Sequence, residues 1–253
     1  MEIEFFETGP GVIIENERRI LFIADIHMGI ESELQARGIH VRTKGKERIL
    51  RILDLIKESE PDHLVILGDV KHRVPGTSWQ EFHELPFLFS SIRKEIPFSV
   101  SPGNHDPGIE EFLKPAEILR KEGSIIDGTG VMHGHTKPDQ DLLGSLILCG
   151  HHHPVVSLPD QVGIALKSPC YVLGEVDSDL FQIPKEEIQS TTRILMVPSW
   201  NELTGYGIER TFRKPFSPLS RSVIIETAEC LLPDGSYAGE LKGLIHYDEC
   251  TKS

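Results

Sequence analysis

The chain has 253 residues, of which 26 are Lys or Arg, 39 Asp or Glu, 12 His and 4 Cys. Its 39% hydrophobic and 26% charged content fits a soluble globular chain with a sizeable core, and excludes disordered, fibrous and disulfide-scaffold classes. The net charge of −13 disfavours a protein that holds duplex DNA mainly by phosphate contacts, and is compatible with binding metal cations.

No apolar run approaches the roughly 18–20 residues of a membrane span. The opening Met1-Glu2-Ile3-Glu4-Phe5-Phe6-Glu7 is acidic where a signal peptide would be basic. The expectation is a cytoplasmic protein with reduced cysteines.

In chain order, residues 19–23 form a short apolar strand that ends in Ala24-Asp25. Residues 37–46 are locally basic and are the first place to expect DNA contacts. Ile49, Ile52, Leu53 and Ile56 recur at helical spacing and predict a helix over 46–58, stopped by Pro61-Asp62. Residues 63–67 are the next strand, closed by Gly68-Asp69, and a helix is expected over 79–94. Phe98-Ser99-Val100 leads into Pro102-Gly103-Asn104-His105-Asp106. Val131-Met132 precedes His133-Gly134-His135, and residues 146–149 precede Gly150-His151-His152-His153. This is α/β alternation to about residue 150.

The texture then changes. Residues 162–166, 170–173, 193–197 and 221–226 read as strands of a second sheet in the same domain, with a loop or short helix over 174–192. One domain over 1–253 is expected. Residues 208–253 are expected to form C-terminal strands or an extension without a motif, with a turn at Pro233-Asp234-Gly235.

Asp, Asn and His residues sit after nearly every expected strand of the first half. Loops at strand carboxyl ends form the ligand crevice of open α/β sheets, so these loops deliver carboxylate, imidazole and amide groups to one place. Imidazole plus carboxylate without clustered thiolates suits manganese, iron, zinc or cobalt. The donors exceed what one ion needs. Two ions roughly 3.5–4 Å apart and bridged by a carboxylate would use them, and Asp69 is the natural bridge. Glycines before Asp69, Asn104 and His151 allow tight turns there.

Asp25-x-His27, Gly68-Asp69-x-x-His72, Gly103-Asn104-His105-Asp106, His133 and Gly150-His151-x-His153 occur in the order and spacing of the calcineurin-like metallophosphoesterases, which the chain resembles. Gly68-Asp69-Val70-Lys71-His72 looks like the nuclease and phosphodiesterase branch, near SbcD. The protein phosphatases of the superfamily carry an Arg shortly after the Asp, and this chain has Lys71-His72-Arg73. His153-Pro154, Pro169-Cys170 and Pro198-Ser199-Trp200-Asn201-Glu202-Leu203-Thr204-Gly205 resemble the compact SbcD-related archaeal and PdeM-like phosphoesterases. The resemblance covers about residues 19–207.

It implies a four-layer α/β/β/α sandwich of two mixed sheets, with metals at one sheet edge. Asp25, His27, Asp69 and His153 would hold one metal, and Asp69, Asn104, His133 and His151 the other. His105 would be the catalytic imidazole beside the phosphate, Asp106 the carboxylate orienting it, and His72 a contact to the phosphodiester. His133 is preferred over His135, but that choice stays open at this point. His135 and His152 are left as outer or exposed residues. His40, His63, His83 and His246 are read as structural or surface residues, Cys149 and Cys170 as small core residues, and Trp200 as packing.

The implied activity is dinuclear hydrolysis of a phosphodiester with two divalent transition-metal ions, manganese first, with iron, nickel or zinc accepted by the same donors. The implied substrate is single-stranded or irregular DNA in repair, bound weakly, with a helicase or ATPase as the partner to expect. A phosphodiesterase of small or cyclic nucleotides is the alternative, and a non-catalytic or partner-dependent binding module is the reading from another class.

Overall fold

Residue alternation along the strands sets the layering. In β3 (Arg19–Ile23), Ile20 and Phe22 face one side and Leu21 and Ile23 the other, and all four are buried. A strand buried on both faces needs cover on both, and a second sheet and a helical layer supply it. The structure, a computed structural model, describes residues 1–159, 165–182 and 190–250.

The first sheet runs β1 (Glu2–Phe5), β2 (Val12–Glu15), β3, β4 (His63–Ile66), β5 (Phe98–Val100) in that spatial order. Its first three strands are antiparallel neighbours, and β3, β4 and β5 run parallel. The second sheet uses β6 (Ser124–Ile126), β7 (Thr129–Met132), β8 (Leu146–Cys149), β11 (Tyr171–Glu175), β12 (Arg193–Met196), β14 (Glu229–Leu231) and β15 (Tyr237–Glu240). They lie in the order β15-β14-β11-β12-β8-β7-β6, with β7, β8 and β12 parallel. A small third sheet joins β9 (Pro154–Pro159), β10 (Ala165–Pro169) and β13 (Tyr206–Gly207).

Val12, Ile14, Ile20, Phe22, Val65 and Leu67 of the first sheet meet Val131, Leu148, Tyr171 and Leu195 of the second in one buried cluster. The outer face of the first sheet packs on α2 (Gly45–Ser59) and α3 (Trp79–Glu95). That of the second packs on α4 (Ile208–Arg213), α5 (Pro218–Ser222) and α6 (Leu241–Cys250). This is the four-layer α/β/β/α sandwich expected. No helix among the described residues is long and apolar enough to cross a membrane. Cys149, Cys170 and Cys230 are free and buried.

Local signals explain the boundaries. α2 ends at Glu60, which takes φ +44 ahead of Pro61. α3 starts at Ser78, whose hydroxyl accepts the Glu81 N–H at 3.2 Å while the Glu81 carboxylate accepts the Ser78 N–H at 2.5 Å, a capping box. The turn at residues 233–235 joins β14 to β15, with Gly235 at φ +82.

Three expectations change. Residues 221–226 are not a strand: Ser217 caps α5 with Pro218 at its first position, and the chain then enters a 3-10 turn at Ile225–Thr227. β1, β2, β9 and the short helix α1 (Ile30–Ala36) were not anticipated. The strand expected over 162–166 is seen only from Ala165, because 160–164 lie outside the described residues, as do 183–189 of the segment 174–192.

Candidate metal centre

Asp25 and His27 follow β3, Asp69 follows β4, and Asn104 follows β5, all at the carboxyl end of the first sheet. His133 follows β7, and His151 and His153 follow β8, at the same end of the second sheet. The donors therefore come from the ends of two facing sheets rather than one edge. The two ends are tied together: the Trp200 N–H donates to the Ala24 carbonyl at 2.8 Å.

The segment 198–205 is the clamp. Ser199 Oγ donates to the Asp25 carbonyl at 2.7 Å, and Asn201 Nδ2 to the carbonyls of Ile26 at 2.9 Å and His27 at 3.2 Å. The Arg48 guanidinium, itself buried, links Glu202 at 3.1 Å to buried Glu31 at 2.7 Å. Trp200 is 1% exposed and packs as expected.

The backbone at the site is unusual. Of eight non-glycine residues with positive φ among the described residues, five are Asp25, His27, Asp69, His151 and His153. Left-handed backbone is disfavoured for such side chains and tends to persist where function needs it. Gly68 takes φ +78, as anticipated, but Gly103 is needed for a different reason. A Cβ there would lie 2.0 Å from Asp69 Oδ1, so only glycine lets the third loop approach the carboxylate.

Two donor groups result. Asp25, His27, Asp69 and His153 present ligand atoms within 4.8 Å of one another, and so do Asp69, His133 and His151. Asp69 belongs to both and divides its oxygens between them. Oδ2 lies 3.7 Å from His27 Nε2, and Oδ1 lies 3.4 Å from His133 Nε2. Asn104 Oδ1 completes the second group, 3.1 Å from His133 Nε2. His27 Nε2 and His153 Nε2 face each other at 3.4 Å, with Asp25 Oδ1 3.2 Å from the latter. Buried carboxylates and converging imidazole nitrogens are costly together without a cation, so the donor set fits divalent metals.

His133 is fully buried, and its Nδ1 donates to the Leu67 carbonyl at 2.8 Å, which turns Nε2 to the donors. His135 belongs to neither donor group, so the geometry favours His133. His152 is buried away from the donors: Nδ1 donates to the Gly150 carbonyl at 2.9 Å and Nε2 accepts from Ser217 Oγ at 2.7 Å.

Three more residues complete the surroundings. The His105 N–H donates to Asp69 Oδ1 at 2.8 Å, and its Nδ1 donates to the His72 carbonyl. Asp106 does not reach the His105 ring, contrary to its expected role. It is buried and accepts the N–H groups of Val70 at 2.9 Å, Lys71 at 3.2 Å and Gly103 at 2.8 Å, which locks two ligand loops together. Burial and the nearby Asp69 charge push its carboxyl up to about 6.

His72 lines the cavity, but both its ring nitrogens have partners: Nδ1 lies 3.2 Å from His27 Nδ1, and Nε2 lies 2.8 Å from the Glu33 carboxylate. The chain His27–His72–Glu33 suits an outer support that orients His27, because a ligating imidazole usually donates through its second nitrogen. The triplet His27, His72 and His105 also lies within 4.8 Å, but the Glu33 and His27 bonds already occupy His72. His72→Ala should weaken metal binding about tenfold to a hundredfold, and Glu33→Gln should reproduce part of that loss. Metal titration checks both, and unchanged affinity in His72→Ala would remove this role.

Burial disfavours the His133 imidazolium, but Asp69, its hydrogen bond and Asp25 outweigh that and raise its pKa to about 9. Burial also opposes ionisation of Asp69, yet His133, His27 and His105 hold its carboxyl below the ordinary range. A raised imidazole pKa stabilises the metal-free fold fully below its unfolded value near pH 6.5, and that contribution fades as pH climbs through about 9. A cation must displace the same proton. Metal affinity should therefore rise with pH up to about 9, with about one proton released per protein near pH 7. Calorimetry in two buffers of different ionisation enthalpy reads that proton, and zero release would contradict His133 as a ligand.

The donors open into a cavity of about 590 Å³ lined by His27, His72, His105, His151 and His153 together with residues from 203–216. The profile of the calcineurin-like phosphoesterase family matches residues 18–218. The chain belongs to the calcineurin-like phosphoesterases. These are metal-dependent phosphoesterases, and the family uses two metal ions. The DNA polymerase II small subunit of Pyrococcus furiosus is 25% identical over 194 residues, which is 62% of this chain and 30% of that protein's length. Nuclease MPE of Pseudomonas putida aligns over 81% of this chain and 90% of its own, at 18% identity and a TM-score of 0.48. The phosphoesterase YfcE of E. coli aligns over 58% and 75%, at 19% identity and a TM-score of 0.35.

Sequence reasoning missed Glu33 and the wall at 206–216, though the segment ending at Gly205 is singled out by the family resemblance. Glu33 lies on a helix with too few apolar positions to announce itself. The wall residues are single side chains on turns and a six-residue helix, too short for a periodic signal.

Proposed function

We propose that this phosphoesterase hydrolyses phosphodiesters, with single-stranded or irregular DNA as its substrate in a repair setting. The observation that carries the dinuclear hydrolase reading is Asp69, whose two oxygens face separate donor groups in the cavity, and the diester preference rests on the loop that follows it. Asp25, His27, Asp69 and His153 would hold one ion, and Asp69, Asn104, His133 and His151 the other. Two divalent ions, manganese first, would neutralise phosphate charge and acidify the attacking water.

The chain's own residues do the rest. The His105 Nδ1 proton is fixed on the His72 carbonyl, and Nε2 has no partner among the described residues, so a protonated ring can donate to the leaving oxygen. Asp106 holds the loop that carries His105.

A monoester dianion is best held by a fixed guanidinium fork. The loop after Asp69 offers none to the cavity: Lys71 Nζ donates to the carbonyls of Arg73 at 2.7 Å and Gly76 at 2.8 Å, and Arg73 lines a neighbouring hollow. The polymerase-subunit relative supports a nucleic-acid substrate and a place beside other DNA-handling proteins; the helicase or ATPase partner is part of the proposal and rests on the acidic chain needing help to present DNA. The cavity volume also suits a small or cyclic nucleotide, the second reading. The full donor set argues against a non-catalytic module.

The basic stretch 37–46 gives this reading no support. Arg37, Arg42 and Lys44 pair with Glu33, Glu47 and Glu202, and none of them lines the cavity.

The test is a panel run with Mn²⁺ and with a chelator: single-stranded DNA, duplex DNA, RNA, cyclic dinucleotides, bis-nitrophenyl phosphate and nitrophenyl phosphate. The proposal expects metal-dependent cleavage of the bis-ester faster than the mono-ester, and of single-stranded DNA faster than cyclic dinucleotides. A preference for the mono-ester would overturn the diester reading.

A further inference from the structure

The rest of the cavity wall comes from residues 203–216, which lie outside both donor groups. Tyr206 stacks on His153 with centroids 5.4 Å apart and planes 16° from parallel, and the Arg210 guanidinium lies 4.8 Å from the Tyr206 ring centroid. Lys214 follows Arg210 by one helical turn, and both are exposed. Among the described residues they are the only Lys or Arg lining this cavity, and neither side chain forms a salt bridge there.

Phe216 lies next to them. Its ring meets His151 at 5.3 Å, His152 at 5.5 Å and Tyr206 at 5.9 Å, yet it remains 42% exposed. The bond between His152 Nε2 and Ser217 Oγ pins this segment to the loop that carries His151 and His153. In a chain of net charge −13, two cations and an exposed aromatic ring are thus held beside the donor groups.

We propose that Arg210 and Lys214 hold a second phosphate of an oligonucleotide, the neighbour of the phosphate being cleaved, and that Phe216 supports the nucleoside between them. This rests on the phosphodiester reading above and narrows its substrate to a strand with at least two phosphates. Arg210 is positioned by its stack on Tyr206, which rides on a donor imidazole, so the second phosphate is placed in register with the first. A guanidinium and an ammonium on one phosphate make charge-assisted hydrogen bonds, and an aromatic face supports any base without reading its sequence.

Two substrates separate the outcomes: thymidine 5′-(4-nitrophenyl phosphate), which has one phosphate, and single-stranded tetrathymidylate. In the double variant Arg210→Ala/Lys214→Ala, kcat/KM for tetrathymidylate should fall at least ten times more than for the one-phosphate diester. The binding of fluorescein-labelled tetrathymidylate to metal-free protein, read by anisotropy at 50–200 mM salt, should weaken by a similar factor. Its salt slope should drop by about 0.7, the share of one phosphate on a single strand. Phe216→Ala should weaken the same binding and leave the salt slope in place. Arg42→Ala, from the basic stretch outside the cavity, is the control and should change neither substrate.

Equal losses on both substrates, or an unchanged salt slope, would overturn the proposal while leaving the diester reading intact. So would a wild-type enzyme that cleaves the one-phosphate diester and ignores tetrathymidylate. A wild-type enzyme that cleaves no diester at all ends the underlying reading, and the proposal with it.

Discussion

Asp69→Ala should abolish hydrolysis and lower the bound metal from two ions to one or none per chain. The side chain contributes an oxygen to each donor group, so its removal opens both sites at once. It also leaves any two remaining cations poorly shielded from each other. The expected loss is at least about 10³-fold, beyond the tenfold to hundredfold typical of an outer-shell partner. Asp69→Asn is the companion variant. It keeps an oxygen for the His105 N–H and keeps the packing against Gly103, but it removes the charge. If Asp69→Asn retains two ions and most activity, the bridging role is wrong. Full wild-type activity at one tightly bound ion would be equally damaging.

His105→Ala should behave in the opposite way, keeping both metals while losing roughly 10²- to 10⁴-fold in rate, the usual range for a positioned acid. The ring lines the cavity and belongs to neither of the two donor groups that share Asp69. The deficit should shrink on a nitrophenyl ester, whose leaving group needs no proton, and stay large on DNA. Metal analysis alongside the kinetics decides the assignment: a fall in metal content that tracks the activity would make His105 a ligand. His105→Ala has a second use, because it frees the His72 carbonyl. A change in metal affinity seen in His72→Ala and absent in His105→Ala would separate the support of His27 from the support of His105.

The donors were legible in the chain because each sits within four residues of an apolar strand, and a strand end followed by Asp, Asn or His is a local pattern. The α/β alternation was legible for a similar reason, since apolar runs such as 19–23 alternate with the helical period of 46–58, whereas the four-layer stacking was implied by the family resemblance alone. What the chain concealed depends on distant partners. Asp106 looked like the natural support of its neighbour His105, but its oxygens are taken by three backbone N–H groups from two loops. His72 looked free to meet a substrate, but the fold brings up Glu33 from an unanticipated helix. Residues 221–226 read as β by composition, but Ser217 and Pro218 had already committed the preceding segment to a helix. Arg210 and Lys214 carried no signal at all until the fold placed them beside the donors.

The left-handed backbone at Asp25, His27, Asp69, His151 and His153 means that endurance and turnover are opposed at these five positions. Each such residue costs about 1 kcal/mol that glycine would not incur. Heat selection without metal would therefore reward substitutions that relax these loops, and each one would discard a donor. A lineage bred only for thermal tolerance should drift toward a sturdy protein with a blind centre. The strain is tied to the donor positions themselves, so relief of it and retention of the donor set cannot both be had at these five loops.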